Sequence, residues 1–261
     1  NTKSEIINHT NDKTPIYGDI EFKNVSFTYP DTGIMALKNV SFKAKEGSTL
    51  AIFGKTGSGK STIANLICRI YDAENGEIYL GENELEKLNL NLLRKAIGYV
   101  PQDGYLFSGT VEENISFGDD KISEEKIKKV AATAEITSDI SNFSEKYKTI
   151  VGERGVQLSG GQRQRIAIAR AIYKSPSIFI FDDCLSAVDS SKEQKILSNL
   201  KNETDKRTTI IISHRISAIQ NADLILVLED GKLTEEGTHQ ILINNKGFYY
   251  DIFQKQNKKE S

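Results

Sequence analysis

Apolar and polar residues alternate from Ile20 onward: Ile20 and Phe22, then Val25, Phe27 and Tyr29, with one slip at Lys23-Asn24. A second alternating run extends from Leu37 to Phe42. Both predict half-buried antiparallel strands, because a period of two turns one face of each strand toward a core. The period then changes. Thr49 to Phe53 reads as a buried strand, a glycine-rich loop follows, and Ser61 to Ile70 has a helical period. Ile97 to Val100 predicts another short strand. From about Asp103 to Tyr173 the signals are mostly helical, clearest at Ser123 to Ala134 and Gly160 to Tyr173. Beyond them strands (Ile178 to Phe181, Thr208 to Ile212, Leu224 to Leu228) alternate with helices (Ser191 to Leu200, Ile216 to Ile219). That rhythm predicts an α/β fold whose largely parallel sheet is covered on both faces. Glu229-Asp230-Gly231-Lys232 reads as a hairpin turn.

Composition narrows the class. The 261 residues are 38% hydrophobic and 27% charged, a balance suited to a soluble chain with a sizeable core. Lys and Arg total 34 against 36 Asp and Glu, a net charge of −2, so bulk charge gives no reason to expect nucleic acid as a partner. The longest apolar runs are far shorter than the ~20 residues of a membrane-spanning helix. Cys68 and Cys184 lie far apart in apolar contexts and point to a reducing compartment rather than a disulfide framework. Residues 1–16 are polar and aperiodic and read as a linker or tail, leaving 17–261 as the folded domain. The chain opens without Met or a visible signal peptide and is expected to be a fragment of something longer.

The strongest chemical signal is Gly54-Lys55-Thr56-Gly57-Ser58-Gly59-Lys60-Ser61, followed by Thr62. It fits the P-loop pattern G-x-x-x-x-G-K-[ST] between a predicted strand and a predicted helix. Glycines let backbone N–H groups turn inward around phosphates, and the helix dipole favours the anion. Lys60 is expected to reach the β- and γ-phosphates and Ser61 to ligate Mg²⁺. The apolar run Ser177 to Phe181 ends in Asp182, at the carboxyl end of a strand, where an open α/β sheet places its ligands. Asp182 is the second candidate metal residue.

Leu158-Ser159-Gly160-Gly161-Gln162 has a modest reading on its own, with Ser159 as a helix N-cap and two glycines for a tight entry. Together with the P-loop, however, it makes the chain resemble the nucleotide-binding domain of an ABC (ATP-binding cassette) transporter. The resemblance runs from about Asp19 to Gln256. Tyr29, in Phe27-Thr28-Tyr29-Pro30, matches the aromatic that stacks on adenine. Gln102, in Tyr99-Val100-Pro101-Gln102, matches the glutamine that touches Mg²⁺ and links to the helical subdomain. Ser186-Ala187-Val188-Asp189 matches the D-loop, and His214 matches the switch histidine. Three segments are similar to exporters in particular: Leu106 to Ile115, Thr149 to Gly155, and Glu236-Gly237-Thr238-His239 with Gly247-Phe248-Tyr249. His239 itself is expected to be structural, and His9 in the tail carries no assignment.

The resemblance implies a P-loop NTPase core with a parallel sheet, an N-terminal antiparallel β subdomain, and a helical subdomain inserted at about 103–173. It implies ATP and Mg²⁺ as ligands. Each ATP would lie between Lys60 of one domain and the signature Ser159, Gly160, Gly161 and Gln162 of a second. The second domain could be an identical copy or, favoured here, the other half of a heterodimer. Membrane helices on the same polypeptide would hold the domain at the cytoplasmic face of the membrane. A soluble ABC ATPase of DNA repair or translation is the alternative. One departure matters: the acid after Asp182, usually Glu in the family, is Asp183. One methylene shorter, it should stop short of the attacking water, so this chain's own site is expected to be degenerate. Tyr105, Leu106 and Phe107 are expected to form part of an exposed apolar notch for the membrane domain.

Overall fold

The computed structural model describes residues 6–8, 10–13, 15–119, 121–152, 155–186, 188, 190–204 and 206–260, with backbone alone at 190, 191, 259 and 260. The chain forms two compact units, Asn1–Ile97 with Lys206–Ser261, and Gly98–Asp205. The first unit opens with β1 (Ile20–Thr28), β2 (Met35–Ala44), β3 (Thr49–Gly54), α1 (Lys60–Ile67), β4 (Asn75–Leu80), β5 (Asn83–Glu84) and α2 (Leu90–Ala96). β6 (Ile97–Val100) leads into the second unit, followed by β7 (Gly109–Thr110), α3 (Val111–Ile115), α4 (Glu124–Thr133) and α5 (Thr137–Ser141). That unit continues with β8 (Ile150–Val151), α6 (Gly160–Tyr173), β9 (Ile178–Asp182) and α7 (Ser190–Glu203). The first unit is completed by β10 (Thr208–Ile212), α8 (Ile216–Ile219), β11 (Leu224–Glu229), β12 (Lys232–Gly237), α9 (His239–Asn245) and α10 (Phe248–Glu260).

Two sheets build the first unit. One is antiparallel, in the order β2-β1-β4-β5. The slip read at Lys23-Asn24 is a register shift between Phe22 and Val25, with Asn24 at a positive φ of 53°. The extra residue returns Val25 to the buried face that Phe22 also occupies, and Phe22 stacks on Phe42 at 4.5 Å. The other sheet runs β12-β11-β3-β10; β3 lies parallel to both β10 and β11, and β12 closes the edge antiparallel. Ala51 and Phe53 of β3 face a cluster with Ile216, Ile219, Ile225, Val227, Leu242 and Tyr249. Burial on both sides explains the unbroken apolar run of β3, each large side chain contributing roughly 1.5–3 kcal/mol.

α1 stops at Ile67, earlier than its apolar period suggests, because Arg69 turns left-handed at φ 48°. The Arg69 side chain is almost wholly buried. It pairs with Asp72 (2.8 and 3.1 Å) and donates to the carbonyls of Glu86 (3.0 Å) and Ile7 (3.3 Å). The stretch before β1 is held at two further points. Asn8 Oδ1 accepts from Leu90 N at 3.0 Å, and Thr10 O accepts from Asn89 Nδ2 at 3.1 Å.

In the second unit β9 neighbours β6, and all five β9 residues are buried. α6 is buried at most positions from Gln164 to Tyr173 and packs against α3 and α4. Its Arg165 pairs with Asp139 of α5 at 2.7 Å. Burial opposes ionisation of Asp139, but hydrogen bonds from Arg165 and Gln162 outweigh it and hold the carboxyl below its ordinary range. Among the described residues no helix is long and apolar enough to cross a membrane.

Candidate nucleotide site

The glycine loop leaves β3 between two parallel neighbours and turns into α1. Gly54 has φ 154°, and a Cβ there would come 2.2 Å from the Leu228 carbonyl of β11. Gly59 has φ 100°, and a Cβ would lie 2.4 Å from the Ala36 carbonyl of β2. Any side chain at either position forces the loop off its neighbours. Gly57 differs: its φ of 82° favours glycine, but no atom of the described residues lies within 4 Å of a Cβ there, so the space at this position is open.

Gly59 is the N-cap of α1 and supplies no side-chain cap. Lys60 Nζ folds over the loop, donating to Gly54 O at 2.9 Å and Lys55 O at 2.7 Å. Ser58 Oγ is buried with no hydrogen-bond partner among the described residues. An uncapped helix start, a lysine folded over the loop and an orphaned hydroxyl suit a phosphate chain.

Two other sequence-selected residues lie in the same unit. Tyr29, half-buried, has its hydroxyl 3.0 Å from Thr62 Oγ1, and Asn65 Nδ2 donates to it at 3.5 Å. Edge-on contacts with Phe27 and Tyr71 fix the ring. Tyr29 is thereby held beside the first turns of the helix that Lys60, Ser61 and Thr62 open. His214 follows β10, whose Ile212 pairs with Ile52 of β3, and Ser213 N donates to Ile52 O. His214 and Gly54 therefore stand at the same carboxyl edge of adjacent parallel strands, and His214 is exposed. The sequence reading gave no role to Gln256 of α10. Its Nε2 donates to His214 O at 2.7 Å, and its Oε1 accepts from Ile216 N at 2.9 Å.

The second unit holds the remaining candidates. Asp182, at the carboxyl end of β9, is buried and accepts from Tyr99 Oη at 3.2 Å. A buried carboxylate of this kind, like the Ser61 hydroxyl, is the hard oxygen ligand that Mg²⁺ prefers. Asp183 is half-buried and left-handed, φ 44°, and its carbonyl accepts from Ser186 N at 3.3 Å. Next in the chain, the Cys184 thiol is pushed up by full burial and then by the neighbouring Asp182 charge, so it stays protonated. Gln102 O accepts from Gln164 Nε2 at 2.8 Å, which ties the segment after β6 to α6.

Ser159 caps α6. Its Oγ accepts from Gln162 N at 3.2 Å, while Gln162 Oε1 accepts from Ser159 N at 2.9 Å, a closed capping box. The capping role read from the pentapeptide is therefore present. Gln162 Nε2 donates onward to Asp139 Oδ1 at 2.9 Å, and Gly160 and Gly161 form the first turn. Ala187 and Asp189 of the expected D-loop, Glu153 and Arg154 of the segment before the signature, and His9 lie outside the described residues.

A cavity of about 700 Å³ in this unit is lined by Gln102, Tyr105, Leu106, Val156, Leu158 and Arg163, among others. Of the expected notch, Tyr105 is 61% and Phe107 38% exposed, whereas Leu106 is buried. Phe107 stacks on Phe117 at 4.1 Å, with the Arg170 guanidinium 5.2 Å from the Phe107 ring centre. Burial draws Arg170 down to about 10, which still leaves it charged at neutral pH.

Parallel strands whose carboxyl edge bears a glycine loop and an uncapped helix define the class as a P-loop NTPase. The chain belongs to the ABC transporter family, whose model matches residues 37–186. Human ATP-binding cassette sub-family B member 5 is 42% identical over 247 residues, 94% of this chain and 20% of that protein. The Bacillus subtilis probable multidrug resistance ABC transporter ATP-binding/permease protein YheI is 44% identical over 239 residues, 92% of this chain and 41% of that protein. A structure of a bacterial Atm1-family ABC exporter with ATP bound superposes with a TM-score of 0.89 at 40% identity, covering 94% of this chain and 44% of that one. The chain thus spans about a fifth to two fifths of the length of these curated relatives. The fold is that of an ABC ATPase, mixed α/β with a parallel sheet and an antiparallel β part.

Proposed function

We infer that this chain is the ATP-binding domain of an exporter, that it closes on a second such domain around Mg·ATP, and that its own hydrolytic site is weak. The observation that carries the reading is the loop itself: an uncapped α1, a left-handed Gly59 and Lys60 folded over the turn. Backbone amides and Lys60 would hold the phosphates, Tyr29 would stack on the adenine, and His214 would contact the γ-phosphate and the attacking water. Ser61, Gln102 and Asp182 would hold Mg²⁺, which neutralises charge on the phosphates. The second domain would contribute Ser159, Gly160, Gly161 and Gln162, and the exposed start of α6 suits that role. Exposed Tyr105 and Phe107 beside Gln102 favour an exporter over a soluble ABC ATPase, since they offer an apolar seat for membrane-domain helices at the cytoplasmic face. Export by the whole polypeptide, and a heterodimer supplying the stronger site, complete the reading.

Weak hydrolysis follows from Asp183. A group that orients water must come within about 2.6–3.2 Å of it, and the shorter carboxylate leaves a gap. Binding is spared because the loop, Asp182 and the signature are intact. Single-turnover measurements at saturating ATP should show Asp183→Glu faster by roughly 10-fold or more and Asp183→Asn close to the parent. Brisk parent turnover that Asp183→Asn abolishes would overturn the weak-site reading. ATP-dependent association, followed by sedimentation, should vanish in Lys60→Ala; equal mass with and without nucleotide at high concentration would count against the closing domain pair.

A further inference from the structure

Three features converge on the C-terminal helix. First, Gln256 uses both ends of its carboxamide on the segment after β10: Nε2 donates to His214 O at 2.7 Å, and Oε1 accepts from Ile216 N at 2.9 Å. Second, Ile216 N is one of the amides that a helix start leaves without an internal partner, and the N-cap of α8, Arg215, provides no side-chain cap. Gln256 fills that role from a distant element and grips the residue two positions earlier with the same group. Third, α10 is itself anchored at its other end. Tyr249 N donates to Glu235 Oε1 at 3.3 Å, Tyr249 Oη lies 2.8 Å from His239 Nδ1, and Lys55 of the glycine loop sits 5.1 Å over the Phe248 ring. Phe248 and Gln256 are eight residues apart, about 12 Å along the helix axis. One rigid element therefore touches the phosphate-binding loop at one end and the histidine segment at the other.

We propose that Gln256 is a positioning residue for His214, holding its backbone in register with the glycine loop through α10. The inference rests on the reading that His214 meets the γ-phosphate and the water. A glutamine suits the task because one side chain must both donate and accept. Glutamate at 256 keeps the acceptor for Ile216 N but cannot donate to His214 O, so Gln256→Glu separates the two bonds.

Two measurements test this. The first needs no nucleotide: amide hydrogen exchange across residues 213–219. Gln256→Leu should lose protection at Ile216, and Gln256→Glu should keep it; unchanged protection in Gln256→Leu would overturn the contact and the proposal with it. The second is a double-mutant cycle of single-turnover rates with His214→Ala, run in whichever of the parent and Asp183→Glu turns over faster. Gln256→Glu should be slower by about tenfold with ATP affinity held within about twofold, and should add nothing to His214→Ala. If His214→Ala is slow while Gln256→Glu matches the parent, the positioning role fails and the His214 reading stands. Full additivity of the two changes would also refute positioning, because Gln256 would then act elsewhere. If His214→Ala turns over at the parent rate, the His214 reading falls and takes the proposal with it.

Discussion

α1 and α6 both start in glycine-rich turns, yet their first turns are completed in opposite ways. α1 begins at Gly59, left-handed and without a side-chain cap. α6 begins at Ser159, whose hydroxyl and Gln162 carboxamide close a reciprocal box. The first start has no side-chain cap; the second has two of its amides, those of Ser159 and Gln162, satisfied before any ligand arrives. A glycine-rich helix start is therefore not one kind of site. Where the side-chain cap is absent the start suits a phosphate bound by its own loop, and where a capping box is present it suits presenting a preformed turn to a ligand held elsewhere.

Substitutions at the two starts should break or sharpen that contrast. The largest effect belongs to Gly59→Ala. Its φ of 100° and a Cβ 2.4 Å from Ala36 O impose strain that only a shift of the loop relieves. At about 1–3 kcal/mol of backbone strain, ATP affinity should fall roughly tenfold to a hundredfold by calorimetric titration. Unchanged affinity would show that the loop tolerates other shapes and would erase the contrast. Ser159→Ala is smaller: loss of the cap costs about 1 kcal/mol, a fall of roughly 2–4 °C in Tm at this length. The domain's own ATP affinity should stay unchanged, and a matching fall in affinity would mean that α6 serves the same site as α1.

The smallest effect belongs to His239, which lies in neither of these helix starts. Burial holds His239 below its ordinary value of 6.5, so the unfolded chain takes up the proton more readily. Its contribution is whole above about pH 6.5 and is lost as the pH falls through the lowered folded value. Denaturant titrations at pH 7.5 and 5.5 should show this acid loss reduced in His239→Gln, with nucleotide affinity unaffected at pH 7.5.

The legible parts of the fold were those with two-sided burial or strict alternation. β3, β10 and β11 are apolar runs because both faces are covered, and β1 announced even its bulge through the slip before Val25. β4 was missed. Only Ile78 and Leu80 are buried in it, and Asn75-Gly76-Glu77 reads as a turn. α10 was missed as well, since its short apolar face is spread among charged residues and its seat depends on Glu235 and His239 from other elements. The same limit governs the site. Gly54 to Thr62 is contiguous and carries its chemistry in local spacing, so it could be read directly. Arg69's grip on Ile7 and Gln256's grip on His214 bridge 62 and 42 positions, respectively, and no local pattern encodes them.

The left-handed backbone at Asp183 gives the Asp-for-Glu exchange a second meaning. At φ 44° a short polar side chain that can bond to nearby backbone is better tolerated than a longer one, and Asp and Asn are the residues most at home there besides glycine. On the weak-site reading proposed above, the residue that would slow the chemistry is also the one that relaxes the turn. Speed and conformational ease would then trade against each other at a single position, and Asp183→Glu should turn over faster while melting earlier.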